Sequence, residues 1–114
     1  MKPFEIYSWQ PPGVNWHEPH PCVIVSHPSR ASSKPDVEVL LCSTQRAKRT
    51  AEPHEIILDD ADGLDWPTLC KCDLIYAVPR TQLGARRGVV GEVRQRQMLR
   101  TLLAAHGWGE VLAG

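Results

Sequence analysis

The stretch Leu69-Cys70-Lys71-Cys72-Asp73-Leu74-Ile75-Tyr76-Ala77-Val78 alternates with a period of two. In an extended chain, Cys70, Cys72, Leu74, Tyr76 and Val78 share one face, and Lys71, Asp73 and Ile75 share the other. This predicts a strand whose thiols look inward and whose Lys71 and Asp73 look out. Residues 4–9, 22–26, 37–43 and 55–58 are also short runs rich in Val, Ile, Leu and aromatics, bounded by Pro, Gly, Asp or Ser. They read as further strands. Ten prolines and eight glycines fall mostly between these runs, as in Pro11-Pro12-Gly13, and mark loops. Loops 10–21, 27–36 and 45–54 exceed tight hairpin length, and long loops on a small scaffold tend to carry function. One helix is predicted over residues 92–106, framed by Gly91 and Gly107. Val93, Met98, Leu99, Leu102 and Leu103 form its apolar stripe, with Arg94, Arg96 and Arg100 facing away. The expected fold is a small, mainly β domain with a C-terminal helix.

With 114 residues, 42% of them hydrophobic and 23% charged, the chain is read as one domain, residues 1–114, with enough core to fold without staples. Thirteen basic residues balance thirteen acidic ones. A polycation or an acidic tail is thereby excluded, so a nucleic-acid site must be a local patch. Residues 3–10 mix charge with aromatics where a signal peptide needs an apolar run, and no stretch nears the roughly 20 apolar residues that span a bilayer. A cytoplasmic protein with no membrane partner is expected. Cys22, Cys42, Cys70 and Cys72 sit in apolar runs and are expected to be reduced, small core residues. The spacing of Cys70 and Cys72 lacks the gap of a zinc knuckle, so no metal and no cofactor are expected.

Three groups could carry chemistry. The loop Asn15-Trp16-His17-Glu18-Pro19-His20-Pro21 holds two imidazoles and a carboxylate in a proline-stiffened segment before a strand. Two imidazoles can divide acid and base roles in phosphodiester cleavage because each titrates near neutrality. Lys71 and Asp73 set a cation beside a carboxylate on a rigid strand. In Ser43-Thr44-Gln45-Arg46-Ala47-Lys48-Arg49 a strand ends in hydroxyls and an amide and enters a basic loop. Those are the groups that hold phosphates and base edges. His27, His54 and His106 read as structural or exposed.

The order of these features resembles the MazF/PemK toxin superfamily of SH3-like barrels, over nearly the whole chain. Glu5-Ile6-Tyr7 is similar to its first-strand opening, and His17-Glu18 falls in its first catalytic loop. Pro21-Cys22-Val23-Ile24-Val25-Ser26 is similar to its second strand, and Leu40-Leu41-Cys42-Ser43-Thr44 resembles the strand ending in hydroxyls. Lys71-Cys72-Asp73 with Pro79-Arg80-Thr81 looks like the Arg-Cys-Asp-Gln-Pro-Arg-Thr stretch of the PemK branch, and the last helix matches in position. The chain departs from the pattern where His20 replaces the arginine before the strand-two proline, Lys71 the arginine before Cys-Asp, and Phe4 the glycine before Glu. Its first loop is also shorter.

The resemblance implies a metal-independent endoribonuclease of a toxin-antitoxin pair, a homodimer with single-stranded RNA crossing its interface, and an antitoxin protein covering the same groove. On that reading His17, Glu18, His20, Lys71 and Asp73 are the candidate catalytic residues. Ser43, Thr44, Gln45, Arg46, Lys48, Arg49 and Arg80 position RNA. Two alternatives remain: a family member that binds RNA or an antitoxin without cutting, and a gyrase poison of the CcdB type. That last branch acts through a C-terminal Trp-Gly element, to which Trp108-Gly109 is similar.

Overall fold

The computed structural model describes residues 1–44 and 50–114. Its strands are β1 (Glu5–Trp9), β2 (His20–Ile24), β3 (Asp36–Thr44), β4 (Glu55–Leu58), β5 (Thr68–Pro79) and β6 (Leu83–Val89). Helix α1 (Pro28–Ser33) joins β2 to β3, and α2 (Glu92–Ala105) and α3 (Trp108–Ala113) end the chain. All pairings are antiparallel, in the order β4-β5-β3-β2-β1-β6. The expected mainly β fold with a C-terminal helix is the fold observed.

One face of the sheet buries Ile6, Val23, Leu40, Ile56, Cys70 and Cys72 against Met98 and Leu102 of α2. The other buries Trp9, Cys22, Ile24, Val37, Val39 and Val78, with Ala31 of α1. Strands β1, β2, β3 and β5 feed both clusters because their side chains alternate, so the sheet is clamped from both sides. Edge strands β4 and β6 are not hydrogen-bonded to each other; the segment after β4 brings them together. There the 3-10 turn Asp60–Asp62 and Gly63 lie against β6 so closely that a Cβ on Gly88 would overlap the Asp62 carbonyl oxygen. Gly63 itself has φ 91° and a virtual Cβ 3.0 Å from the Arg87 carbonyl oxygen. Only glycine fits either position, and that contact closes the curled sheet.

The strand expected over residues 69–78 forms, but its alternation breaks. Leu40 pairs with Ile75 and Cys42 with Cys70, so β5 uses residues 71–74 where β3 uses Leu41 alone. Inside this bulge the Cys72 N–H turns to the His54 carbonyl, 2.8 Å away. An odd number of extra residues shifts the phase of a strand. Ile75, expected outside, therefore packs against the first cluster, and Leu74, expected inside, is 51% exposed.

Three elements lacked a sequence signal. β6 reads LGARRGV, with too few apolar residues to show a period. α1 and α3 have six residues each, below the length at which a helical stripe is legible. The long helix ends at Ala105, and Gly107 with φ 71° reverses the chain. Its stripe is narrower than expected: Met98 and Leu102 are buried, whereas Val93 is 78% exposed. Arg94 does not face away, because Asp59 and Asp62 hold it. Phe4 takes φ 70°, in the left-handed region. Its N–H reaches Ile24 O at 2.7 Å and its carbonyl accepts from Val90 N–H at 2.9 Å, which holds a conformation costing about 1 kcal/mol or more.

Candidate functional site

The antiparallel register gathers the start of β2, the end of β3 and the first half of β5 at one end of the sheet. Trp9 of β1 pairs with His20, Ser43 of β3 with Leu69, Thr44 with Thr68, and Lys71 of β5 with Glu55 of β4. Loop 10–19 enters β2 at this end, and β3 ends here at Thr44. Counting in steps of two from Cys22 and Val39, which face the α1 side, places His20 and Ser43 on that side. Cys70 and Cys72 face the other way, so Lys71 joins His20 and Ser43 on one surface. α1 packs on the far end of that face through Ala31.

His20 is held on two sides. Its Nδ1 lies 3.1 Å from the Cys42 carbonyl oxygen, and its ring stacks on Trp16 with centroids 4.0 Å apart. A carbonyl only accepts, so Nδ1 carries a proton in either charge state and Nε2 is the atom that gains or loses one. Neutral, that nitrogen accepts a proton; charged, it donates one. His17 and Glu18 are exposed, three and two residues ahead in the same loop.

Lys71 is half-buried, and Glu55 opposite it is only 5% exposed and accepts from the Glu52 N–H at 2.9 Å. Asp73 stands 4.0 Å from His54 Nε2, so its nearest imidazole is one the sequence reading set aside. The signal for His54 is the register alone, since pairing Glu55 with Lys71 lays His54 alongside the bulge. His106, read as structural, lies with Nε2 2.9 Å from the Cys72 carbonyl and stacks on Trp108. Trp108-Gly109 thus opens α3, with its indole packed on the end of α2.

Cys22 and Cys70 beneath the site keep their protons. Burial pushes Cys22 up to about 12, and hydrogen bonding to Cys42 together with burial raises Cys70 well above the usual thiol range. A thiol that keeps its proton is a poor nucleophile and a poor metal ligand. All four cysteines are unpaired, and no three His, Cys, Asp or Glu side chains among the described residues are grouped to hold a metal ion.

Arg80 does not join the group. It follows β5 at the end where Pro79 pairs with Asp36, about 25 Å along β3 from Thr44. Its guanidinium donates to Lys34 O at 2.8 and 3.0 Å and to Arg30 O at 3.2 Å, capping α1. Gln45, Arg46, Lys48 and Arg49 lie outside the described residues; Thr44 ends β3 beside them. No helix among the described residues is long and apolar enough to cross a membrane.

No curated protein matches the sequence. Among solved structures, the chain is similar to the Mycobacterium tuberculosis toxin MazF-mt6 at 19% identity and a TM-score of 0.73, covering 89% of this chain and 94% of that one. It is also similar to an endoribonuclease from a mycobacterial species, at 20% identity and a TM-score of 0.77, covering 94% and 91% of the two chains. An endoribonuclease in complex with its cognate antitoxin, again mycobacterial, gives 20% identity and a TM-score of 0.75 over 94% of this chain and 93% of that one. Identities this low establish the shared fold. The family itself rests on a sequence match over residues 2–105: the chain belongs to the PemK-like, MazF-like toxins of type II toxin-antitoxin systems.

Proposed function

We propose that this toxin is a metal-independent endoribonuclease that cuts single-stranded RNA by attack of the substrate's own 2'-hydroxyl. The observation that carries the reading is His20, whose backbone-anchored, ring-stacked imidazole stands on the same surface as Ser43 and Lys71. His17 takes the 2'-hydroxyl proton as the oxygen attacks the adjacent phosphorus. Protonated His20 delivers its Nε2 proton to the departing 5'-oxygen, leaving a cyclic phosphate and a free 5'-hydroxyl. Lys71 stabilises the charge that builds on the phosphorane. Glu18 and Asp73 set the electrostatics around these cations, and Ser43, Thr44 and the basic loop of Gln45, Arg46, Lys48 and Arg49 position the strand. Solved endoribonucleases that share the fold, one of them in complex with its antitoxin, support this reading.

The test uses fluorescent single-stranded RNA with chelator present. Cleavage is expected to continue, to leave a cyclic phosphate end, and to stop when the nucleotide 5' to the cut is made 2'-deoxy. Equal cutting of the deoxy substrate, or loss of cleavage with chelator, overturns the mechanism.

The reading includes an antitoxin protein as partner and a homodimer as the working unit. Leu99, Trp108, Val111 and Leu112 are between 47% and 77% exposed, and a groove of about 500 Å³ runs between α2, α3 and the sheet. Apolar surface gathered in this way suits a partner better than water. Light scattering at tens of micromolar is expected to return twice the 12.8 kDa chain mass; a single chain mass sinks the dimer.

A further inference from the structure

At the same end of the barrel, but over the edge on the α2 side of the sheet, is a hollow of about 400 Å³, of whose lining the mechanism above uses Glu18 alone. Ser8 of β1, Arg87 of β6, Asp65 and Trp66 of the segment leading into β5, and Glu18-Pro19 of the catalytic loop line it. Its size falls at the small end of ligand clefts, about 300–1,000 Å³. The hollow is built by backbone: the contact of Asp62-Gly63 with Arg87-Gly88 sets the Asp65-Trp66 segment over β6. Trp66 keeps 38% of its surface exposed at the rim, and Pro19 is the residue before His20.

The chemistry of the lining selects the occupant. Asp65 brings a carboxylate and Arg87 a guanidinium to the same hollow, so it offers an acceptor and a donor together and suits a neutral group that carries both. An exposed indole gives a flat group a stacking face, as aromatic side chains do for bases of single-stranded RNA. Among the four bases only guanine presents two adjacent donors, N1–H and N2–H2, to match a carboxylate. Its O6 and N7 acceptors match an arginine. We propose that Ser8, Asp65, Trp66 and Arg87 form a guanine subsite that sets which step of the RNA lies against His20. Trp66 stacks on the base, Asp65 takes the two Watson–Crick donors, and Arg87 takes the O6 and N7 edge.

The inference rests on RNA being the substrate, and its test separates the two. Fluorescent oligouridines carrying one guanosine, adenosine or cytidine are measured for cleavage, and their 2'-O-methyl versions, which cannot be cut, for binding by anisotropy. The wild type is expected to bind and cut the guanosine oligomer about tenfold or more better than the others, with the cut at a fixed distance from the guanosine. Arg87→Ala and Asp65→Asn, two surface changes, are expected to erase that preference while the basal rate on plain oligouridine stays. Trp66→Ala should weaken guanosine binding by a similar factor. Equal treatment of all four oligomers by the wild type, or a preference that survives Arg87→Ala and Asp65→Asn, overturns the subsite. A protein that cuts no oligomer yet binds the 2'-O-methyl guanosine oligomer selectively, with dependence on Arg87, keeps the subsite and overturns the cleavage reading.

Discussion

Replacing His20 with alanine is expected to slow RNA cleavage about a hundredfold or more, the usual loss when a positioned general acid is removed. The geometry makes the expectation specific. Because the Cys42 carbonyl holds Nδ1 in its donor state, the ring can deliver a proton only through Nε2. Imidazoles change charge between about pH 5 and 8, so the wild type should show a bell-shaped profile with one limb from each histidine. His20→Arg tests the charge separately from the proton. A guanidinium stays charged at every pH at which the protein is folded, and it stacks on aromatic faces, so Trp16 can receive it. This variant should keep cleavage and lose the alkaline limb, where His20 must still be protonated. Cleavage from pH 5 to 9, with a thermal melt of each variant to show that it is folded, reads all of this. A His20→Ala protein as fast as wild type removes His20 from the site. A wild type that binds RNA without cutting, with His20→Arg gaining cleavage, supports the non-cutting reading.

How much of the molecule was legible from its sequence depends on where its information lies. Five of the six strands advertise themselves because their apolar residues are dense, and so does the long helix. β6 is silent: Gly84 and Gly88 sit where other chain passes close by, with the virtual Cβ of Gly84 3.4 Å from the Ser8 carbonyl, and its arginines leave no apolar period. The bulge in β5 is silent too, since alternation assumes that every residue advances the strand by one step. It is also what carries Asp73 to His54, a pairing that no spacing rule could supply. The candidate catalytic residues lie closer together than the candidate RNA-positioning ones. His17, Glu18 and His20 are close in sequence, and β5 lies one strand beyond the strand that anchors His20. Arg80 misled because a motif conserves order along the chain and not place in space; its guanidinium is spent on the carbonyls of α1. Arg94 misled for a related reason. On a helical wheel it belongs to the charged side, but the turn after β4 places two carboxylates against that side.

That contact underlies the largest effect expected on stability. Arg94→Met keeps an apolar stem of similar length, so it removes the charge with little loss of packing. What disappears is a pair of hydrogen bonds donated to the Asp59 carboxylate, at 2.7 and 2.9 Å, and one donated to Asp62 at 2.5 Å. The Asp62 side chain is fully buried and also accepts from the N–H groups of Asp59 and Gly91. Those donors are neutral, so without Arg94 a carboxylate is left in the interior with no cation. Removing one partner of a buried pair costs about 3–5 kcal/mol. The Asp59 half is more exposed and adds less. About 3 kcal/mol is a large share of the 5–15 kcal/mol typical of a domain, so the melting temperature should fall by about 10 °C. Acid should act in the same direction. Hydrogen bonds from Arg94 and from the Ala61 N–H draw Asp59 down to about 2 from its usual 3.8. A depressed carboxylate stabilises the fold above its unfolded value and loses that contribution as pH falls toward the folded one. The gap between wild type and Arg94→Met should therefore be full at pH 7 and narrow from about pH 4 to about pH 2. Urea unfolding at pH 7, 4 and 2.5 measures it. Equal midpoints at pH 7 would mean that the glycine contact between the Asp62-Gly63 turn and β6 closes the barrel without Arg94. A gap that widens in acid would show that Asp59 is not the group that titrates.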